Sequence, residues 1–236
     1  MKKKSTFIII ISAFLAIAII AASVFVLGFY LPEKKQKEEL ARAIEEYYQS
    51  KLALYQAENE KYADGEVEVA FLGDSLTDGC DLGKYYPQYI TANRGIGGET
   101  THGLQERIKI SLYDLKPRVA VILIGGNNLD TMFENYEDML SDIREQTPDT
   151  KIVICSLTAM GRDWAYKNKI ATYNNVIIKK LAEKYECEYV DLFTPLFDET
   201  EGEIYADYTN DGVHLTHSGY EVLASAITPA IDKALH

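Results

Sequence analysis

Cysteine is scarce in this 236-residue chain: Cys80, Cys155 and Cys187 stand at unrelated spacings, with no C-x-x-C pair and no alternating Cys/His cluster. Neither a disulfide framework nor a structural zinc site is expected on that count. Cys155, in the apolar run 152–155, reads as core, and Cys80, five residues past a serine discussed below, reads as a bystander at the mouth of a site. Basic residues are also few, 24 against 36 acidic ones, which leaves a net charge of -12 and a pI near 4.8. Nucleic acid is therefore not an expected partner, because phosphate binding draws on a positive face. Missing too are H-E-x-x-H, a P-loop and the G-x-S-x-G elbow. Zinc hydrolysis, phosphoryl transfer and the usual α/β-hydrolase arrangement lose their support with them. A dinucleotide fingerprint is only approached, by Gly95-x-Gly97-x-x-Thr100, and the last glycine is absent. No cofactor and no metal are expected.

Long apolar runs are limited to one. After Met1-Lys2-Lys3-Lys4, residues 7–31 are interrupted only by Ser12, Ser23 and Gly28. At about 1.5 Å per residue such a helix would cross a bilayer. Residues 1–6 are thus expected as a cytoplasmic basic tail and 7–31 as an uncleaved transmembrane anchor, since the run is long for a signal peptide and ends in bulky residues; the alternative is cleavage at Ala16, Ala18, Ala21 or Ala22 within it. Lys34, Lys35 and Lys37 on the far side nearly balance the basic tail, and the free amino terminus tips the orientation toward an outward-facing domain. Over 32–65, Leu40, Ile44, Tyr47, Tyr48, Leu52 and Tyr55 recur at three- and four-residue steps, which predicts a juxtamembrane amphipathic helix ending near Ala63-Asp64-Gly65. A stalk, or a helix packed on the domain, is the expectation; a coiled-coil stem would need more heptads.

The remaining 66–236 has the length of one domain with one core. Strands are predicted near 67–72, 90–93, 119–124, 152–156 and 188–192, with helices over 101–115, 132–145, 168–185 and 218–235. This alternation implies an α/β fold with a parallel sheet covered on both faces, in which ligands bind beyond the carboxyl ends of the strands. Unusual sequences stand at those ends: Gly73-Asp74-Ser75, Gly97-Gly98 and Gly125-Gly126-Asn127-Asn128. A fourth, Asp211-Gly-Val-His214, precedes the last helix.

A serine hydroxyl is a weak nucleophile until a base and an orienting acid reach it. Among the four histidines His214, with Asp211 three residues before it, is the candidate base; His102 opens a helix, His217 lacks an acid at that spacing and His236 ends the chain. Asp211 is also at home in an Asn-Asp-Gly turn, and Ser75 as a helix cap. Asp74 is expected to brace the loop. Met160, Arg162 and Trp164, in the loop after the fourth strand, are candidate substrate-lining groups, the tryptophan being equally a packing residue.

The blocks Gly73-Asp-Ser-Leu76, Asn93-Arg-Gly-Ile-Gly-Gly-Glu-Thr100, Gly125-Gly-Asn127 and Asp211-Gly-Val-His214, in that order over about 66–236, resemble the SGNH or GDSL hydrolases. Within that family the chain is most similar to the platelet-activating-factor acetylhydrolase-like esterases. The resemblance implies a flavodoxin-like three-layer sandwich with a five-stranded parallel sheet of order 2-1-3-4-5. It further implies Ser75, His214 and Asp211 as catalytic, and an oxyanion hole from the backbone N–H of Ser75 and Gly98 and the side-chain amide of Asn127, with Gly97 the neighbour to distinguish from Gly98. Many members carry Asp where this chain has Asn128, a position that supports the loop. The function expected is a membrane-anchored serine esterase: the resemblance implies the ester-cleaving reaction, the apolar run the anchor, and the expected location points to small acyl, chiefly acetyl, esters, carbohydrate esters among them. The alternatives are a lysophospholipase or thioesterase for longer acyl chains, and a non-catalytic surface-binding module.

Overall fold

The computed structural model describes Gly28 and residues 30–236. The expected bilayer-crossing run over 7–31 and the basic tail over 1–6 lie almost wholly outside these residues. Among the described residues no helix is long and apolar enough to cross a membrane.

The chain divides into two units, residues 1–51 and Leu52–His236. Helix α1, Leu31–Asn59, begins in the first, where surface pairs such as Lys37 with Glu33 support it at i,i+4. Its last two turns, from Leu52, belong to the second unit, which therefore starts earlier than the expected boundary at 66. The reason is Tyr55, only 1% exposed and the one buried residue of the helix.

Within the second unit, five strands form one parallel sheet: β1 (Val69–Gly73), β2 (Thr91–Gly95), β3 (Val119–Leu123), β4 (Lys151–Cys155) and β5 (Glu188–Val190), in the order β2-β1-β3-β4-β5. This is the order that the family resemblance implies. β1 and β3 are buried at every position, as central parallel strands must be. Alternation along a strand sends Ala70, Leu72, Ala120 and Ile122 to one face, and Val69, Phe71, Val119 and Val121 to the other. The first set packs on Leu104, Tyr136, Met139, Ile143 and Ile178, the second on Leu223, Ile227 and Ile231 of the last helix. Three layers result, with α2 (Ser75–Asp78) and α3 (Leu82–Tyr85) as single turns after β1.

The helix expected over 101–115 is interrupted: α4 spans Thr101–Glu106, and a π-type turn follows at Lys109–Tyr113. The break falls at Arg107, whose side chain is buried and makes the contacts described below. The pattern over 132–145 resolves into a 3-10 turn, Met132–Glu134, and α5, Tyr136–Gln146. α6 (Asn168–Lys184) and α7 (His217–Leu235) match their expected spans closely. A small hairpin, β6 (Phe197–Asp198) with β7 (Glu203–Ile204), was not foreseen, its two-residue strands being too short for a periodic signal. For site building the key fact is register: Gly73 pairs with Gly95 and with Leu123, so the tips of β1, β2 and β3 are level.

Candidate active site

β1 ends where only glycine fits. A Cβ on Gly73 would lie 2.3 Å from Leu123 O and 2.2 Å from Thr77 Oγ1. The chain then turns at once into α2, whose cap is Asp74: its Oδ1 accepts from Leu76 N at 3.0 Å. Ser75 is thus the first residue of the turn and does not cap it, leaving its hydroxyl for other work.

The histidine loop folds on itself. Asp211 Oδ1 accepts from the backbone N–H groups of Val213 (2.9 Å) and His214 (2.8 Å), and Oδ2 accepts from His214 Nδ1 at 2.7 Å. Thr209 Oγ1 donates to His214 O at 3.0 Å and accepts from Gly212 N at 2.8 Å. Gly212 has φ +97°, and a Cβ there would sit 2.2 Å from Gly161 O, so the loop packs backbone to backbone on its neighbour. His214 Nε2 reaches Ser75 Oγ at 3.1 Å.

The direction of proton flow follows from charge. The hydrogen bond from His214, with those from the two backbone N–H groups, holds the Asp211 carboxyl down to about 2. An ionised carboxylate only accepts, so Nδ1 carries the shared proton and Nε2 turns a lone pair toward the serine. His217, the rejected candidate, bonds instead to Tyr85 OH at 2.8 Å and lies near Glu221.

The expected oxyanion donors occupy the neighbouring strand tips. Glu99 N donates to Ile96 O at 3.2 Å, closing a turn in which Gly98 is third with φ +77°. That position of a type II turn calls for glycine. No protein atom lies within 4 Å of a Cβ built on Gly98, so within the protein it is the backbone conformation that calls for glycine there. Asn127 is exposed and donates one amide hydrogen to Glu99 O at 2.9 Å, with a second hydrogen on the same nitrogen. Asn128 braces the start of α4, through Thr101 N (3.3 Å) and Thr101 Oγ1 (2.9 Å).

Beneath these donors lies an ion pair that sequence reasoning missed. Arg107 Nε donates to Glu99 Oε2 (2.8 Å), Nη1 to Arg94 O (2.9 Å) and Ser111 Oγ (2.8 Å), and Nη2 to Gly73 O (3.1 Å). One guanidinium thus ties the ends of β1 and β2 to the turn that carries Gly98. Glu99 in turn receives Thr100 N at 3.0 Å. A buried arginine at a helix end looks like any surface arginine in sequence.

Asp74 is buried as well, and that burial raises its carboxyl to about 6 against the opposing bond from Leu76 N–H. Its folded value lies above its unfolded one, so ionising it costs stability: folding weakens as pH rises from about 4 to 6, and the cost is complete above that. Asp74→Asn keeps an oxygen for the cap but cannot ionise. Relative to wild type it should gain about 2 kcal/mol between pH 4.5 and pH 8. Urea unfolding at the two pH values measures this, and a pH-independent difference would count against it.

The loop after β4 is only partly as expected. Met160 is 5% exposed and belongs to the core, its backbone N and O both bonded to the Asn168 side chain (2.8 and 2.7 Å). It is not a substrate-lining residue, because the short loop is drawn inward by that amide. Arg162 and Trp164 are exposed; Arg162 has φ +53°, its N–H held by Glu203 Oε2 at 2.6 Å, and Lys167 Nζ lies 4.6 Å above the Trp164 ring. Gly161 N donates to Gly212 O at 2.7 Å, which joins this loop to that of His214. Cys80 is not at the mouth: it packs among Leu76, Tyr86 and Leu223, and burial pushes its thiol up to about 12. Among the described residues no cluster of His, Cys, Asp and Glu could hold a metal ion.

The sequence profile of the GDSL-like lipase/acylhydrolase family matches residues 71–222. The chain belongs to that family. This hydrolase is accordingly a carboxylic ester hydrolase, with acyl esters as substrates. It is 26% identical over 182 residues to the platelet-activating factor acetylhydrolase IB subunit alpha2 of Rattus norvegicus, covering 73% of this chain and 79% of the relative. Among solved structures, the hydrolase resembles a Streptococcus pneumoniae protein provisionally described as a platelet activating factor, with TM-score 0.74, 23% identity, and 84% and 99% of the two chains covered. It also resembles an acetyl xylan esterase from Geobacillus stearothermophilus, with TM-score 0.58, 22% identity, and 71% and 95% covered. At those identities the two structural likenesses bear on the fold.

Proposed function

We propose that the protein is a serine esterase that removes small acyl groups, acetyl above all, from esters such as those of carbohydrate. The observation that carries the mechanism is the chain Ser75 Oγ, His214 Nε2, His214 Nδ1 and Asp211 Oδ2, with contacts of 3.1 and 2.7 Å across its two joints. Ser75 Oγ attacks the ester carbonyl as its proton passes to His214 Nε2. The resulting oxyanion is held by the N–H groups of Ser75 and Gly98 and by the Asn127 amide; one such donor is typically worth a factor of about 10² to 10³ in rate. Collapse breaks the C–O bond, and the leaving alkoxide takes the proton from His214. Water then attacks the acyl-serine and gives a proton to the same nitrogen, which passes it to Ser75 Oγ as the acid leaves, restoring the free serine and neutral His214.

Support for the acetyl assignment comes from the relatives, an acetylhydrolase and an acetyl xylan esterase. The open setting of the site agrees with a polymeric alcohol: the Asp211 and His214 side chains are each 52% exposed. The run over 7–31 supports a membrane anchor, with the catalytic unit outside. The test is a series of p-nitrophenyl esters from acetyl to dodecanoyl beside acetylated xylan, together with protease treatment of intact cells. Turnover is expected to be fastest for acetyl and the domain to be cleaved. A preference for long acyl chains would replace this substrate assignment with a lysophospholipase or thioesterase, and a protected domain would reverse the orientation.

A further inference from the structure

β2 is an edge strand, paired with β1 on one side only, yet its end leads directly into the turn that presents Gly98. An edge strand leaves backbone groups without sheet partners, so an end that must hold its position needs support from elsewhere. That support comes from the last turns of α1, which lie outside the family match over 71–222.

Tyr55 OH donates to Gly95 O at 2.5 Å, and its ring lies 4.7 Å from the guanidinium carbon of Arg94. Arg94 is wholly buried; Nη1 donates to Glu58 Oε2 and to Asn93 O (3.1 Å), and Nη2 donates to Asn59 Oδ1 at 2.9 Å. Asn59 Nδ2 in turn donates to Ile110 O at 2.7 Å, which anchors the helix end to the turn after α4. Residues 93–95 are thus gripped on the side that no strand covers. The next residue, Ile96, donates to Gly73 O at 3.1 Å and opens the turn closed by Glu99 N. Gly98 is three residues from the Tyr55 bond, and the aim of its N–H depends on where this strand end sits.

We propose that Tyr55, Glu58 and Asn59 are positioning residues for the oxyanion turn, acting through Arg94 and Gly95. The inference rests on the serine esterase reading above. A donor displaced by a fraction of an ångström weakens the transition state while leaving ground-state binding nearly intact. The signature is therefore a fall in kcat at constant KM.

The test uses the full chain with Tyr55→Phe, which removes one O–H and keeps the ring, and separately Glu58→Gln, which removes one charge. Each is assayed on p-nitrophenyl acetate about 20 °C below its own melting midpoint, so that unfolding does not contribute. The rate of inactivation by a fluorophosphonate is measured in parallel. Expected is a fall of about tenfold in kcat and in inactivation rate, with KM within about twofold of wild type. Wild-type kcat with a lowered melting midpoint in both variants would make the contact merely structural and overturn the proposal. A raised KM at wild-type kcat would overturn it as well. Should Tyr55→Phe fail to fold, Glu58→Gln decides alone. If wild type itself does not react with the fluorophosphonate, the esterase reading has failed, and this inference with it.

Discussion

A Ser75→Ala chain is expected to lose at least about 10⁴-fold in ester turnover and all covalent labelling by fluorophosphonates. Without Oγ no acyl-enzyme forms, and the remaining rate is what the oxyanion donors give to direct attack by water. Folding should survive, because Asp74 and not Ser75 caps α2 and Ser75 is only half-buried. A change within about 1 kcal/mol is the ordinary result for such a site. Initial rates and intact-mass detection of the adduct read the two effects separately. Turnover within tenfold of wild type would remove Ser75 from the mechanism and favour a binding module or another nucleophile.

Asp211→Asn should follow, with kcat reduced on the order of 10³- to 10⁴-fold and KM nearly unchanged. The wild-type carboxylate accepts from three N–H groups, two of them backbone. If the amide oxygen of Asn keeps the backbone bonds, its NH2 faces the imidazole, and Nδ1 must accept. The proton then moves to Nε2, which can no longer take one from Ser75. The sign of the pH effect is equally fixed. A carboxyl held at about 2 in the folded state contributes stability that is present above its unfolded value near 4 and lost as pH falls through 2. Well above pH 4 the wild-type carboxyl stays ionised, so the comparison between wild type and variant there is one of carboxylate against amide and not of two protonation states. An Asn variant with wild-type rates would leave Asp211 as a turn residue only.

What could be read from sequence was local or periodic. Strands β1 and β3 announce themselves as continuous apolar runs because both of their faces are covered, and Asp211 with His214 because the bond between them spans three residues. Arg107 and Glu99 escaped because their meaning depends on which carbonyls converge at the strand ends, and helical periodicity carried the expectation straight through the break at Arg107. Tyr55 escaped similarly: its partner lies 40 residues away, and its three-to-four spacing made it look like one more member of a stripe. One signal was available. Arg94 follows directly on strand residues and precedes a glycine, and an arginine carried into a sheet requires an anion nearby. Met160 departs from expectation because a loop's position after β4 says where the backbone passes and nothing about which side chains Asn168 draws inward.

The 139-residue gap between Ser75 and His214 also sets an order of events as the chain is made. Every proposed oxyanion donor has been synthesised by residue 127, and the strand tips that carry them belong to the first three strands. The base comes later, just before α7, whose Leu223, Ile227 and Ile231 close the second face of the sheet. Until His214 has been made, Ser75 has no base beside it. Closing that face of the sheet and bringing a base to Ser75 thus fall to adjacent segments, His214 and α7.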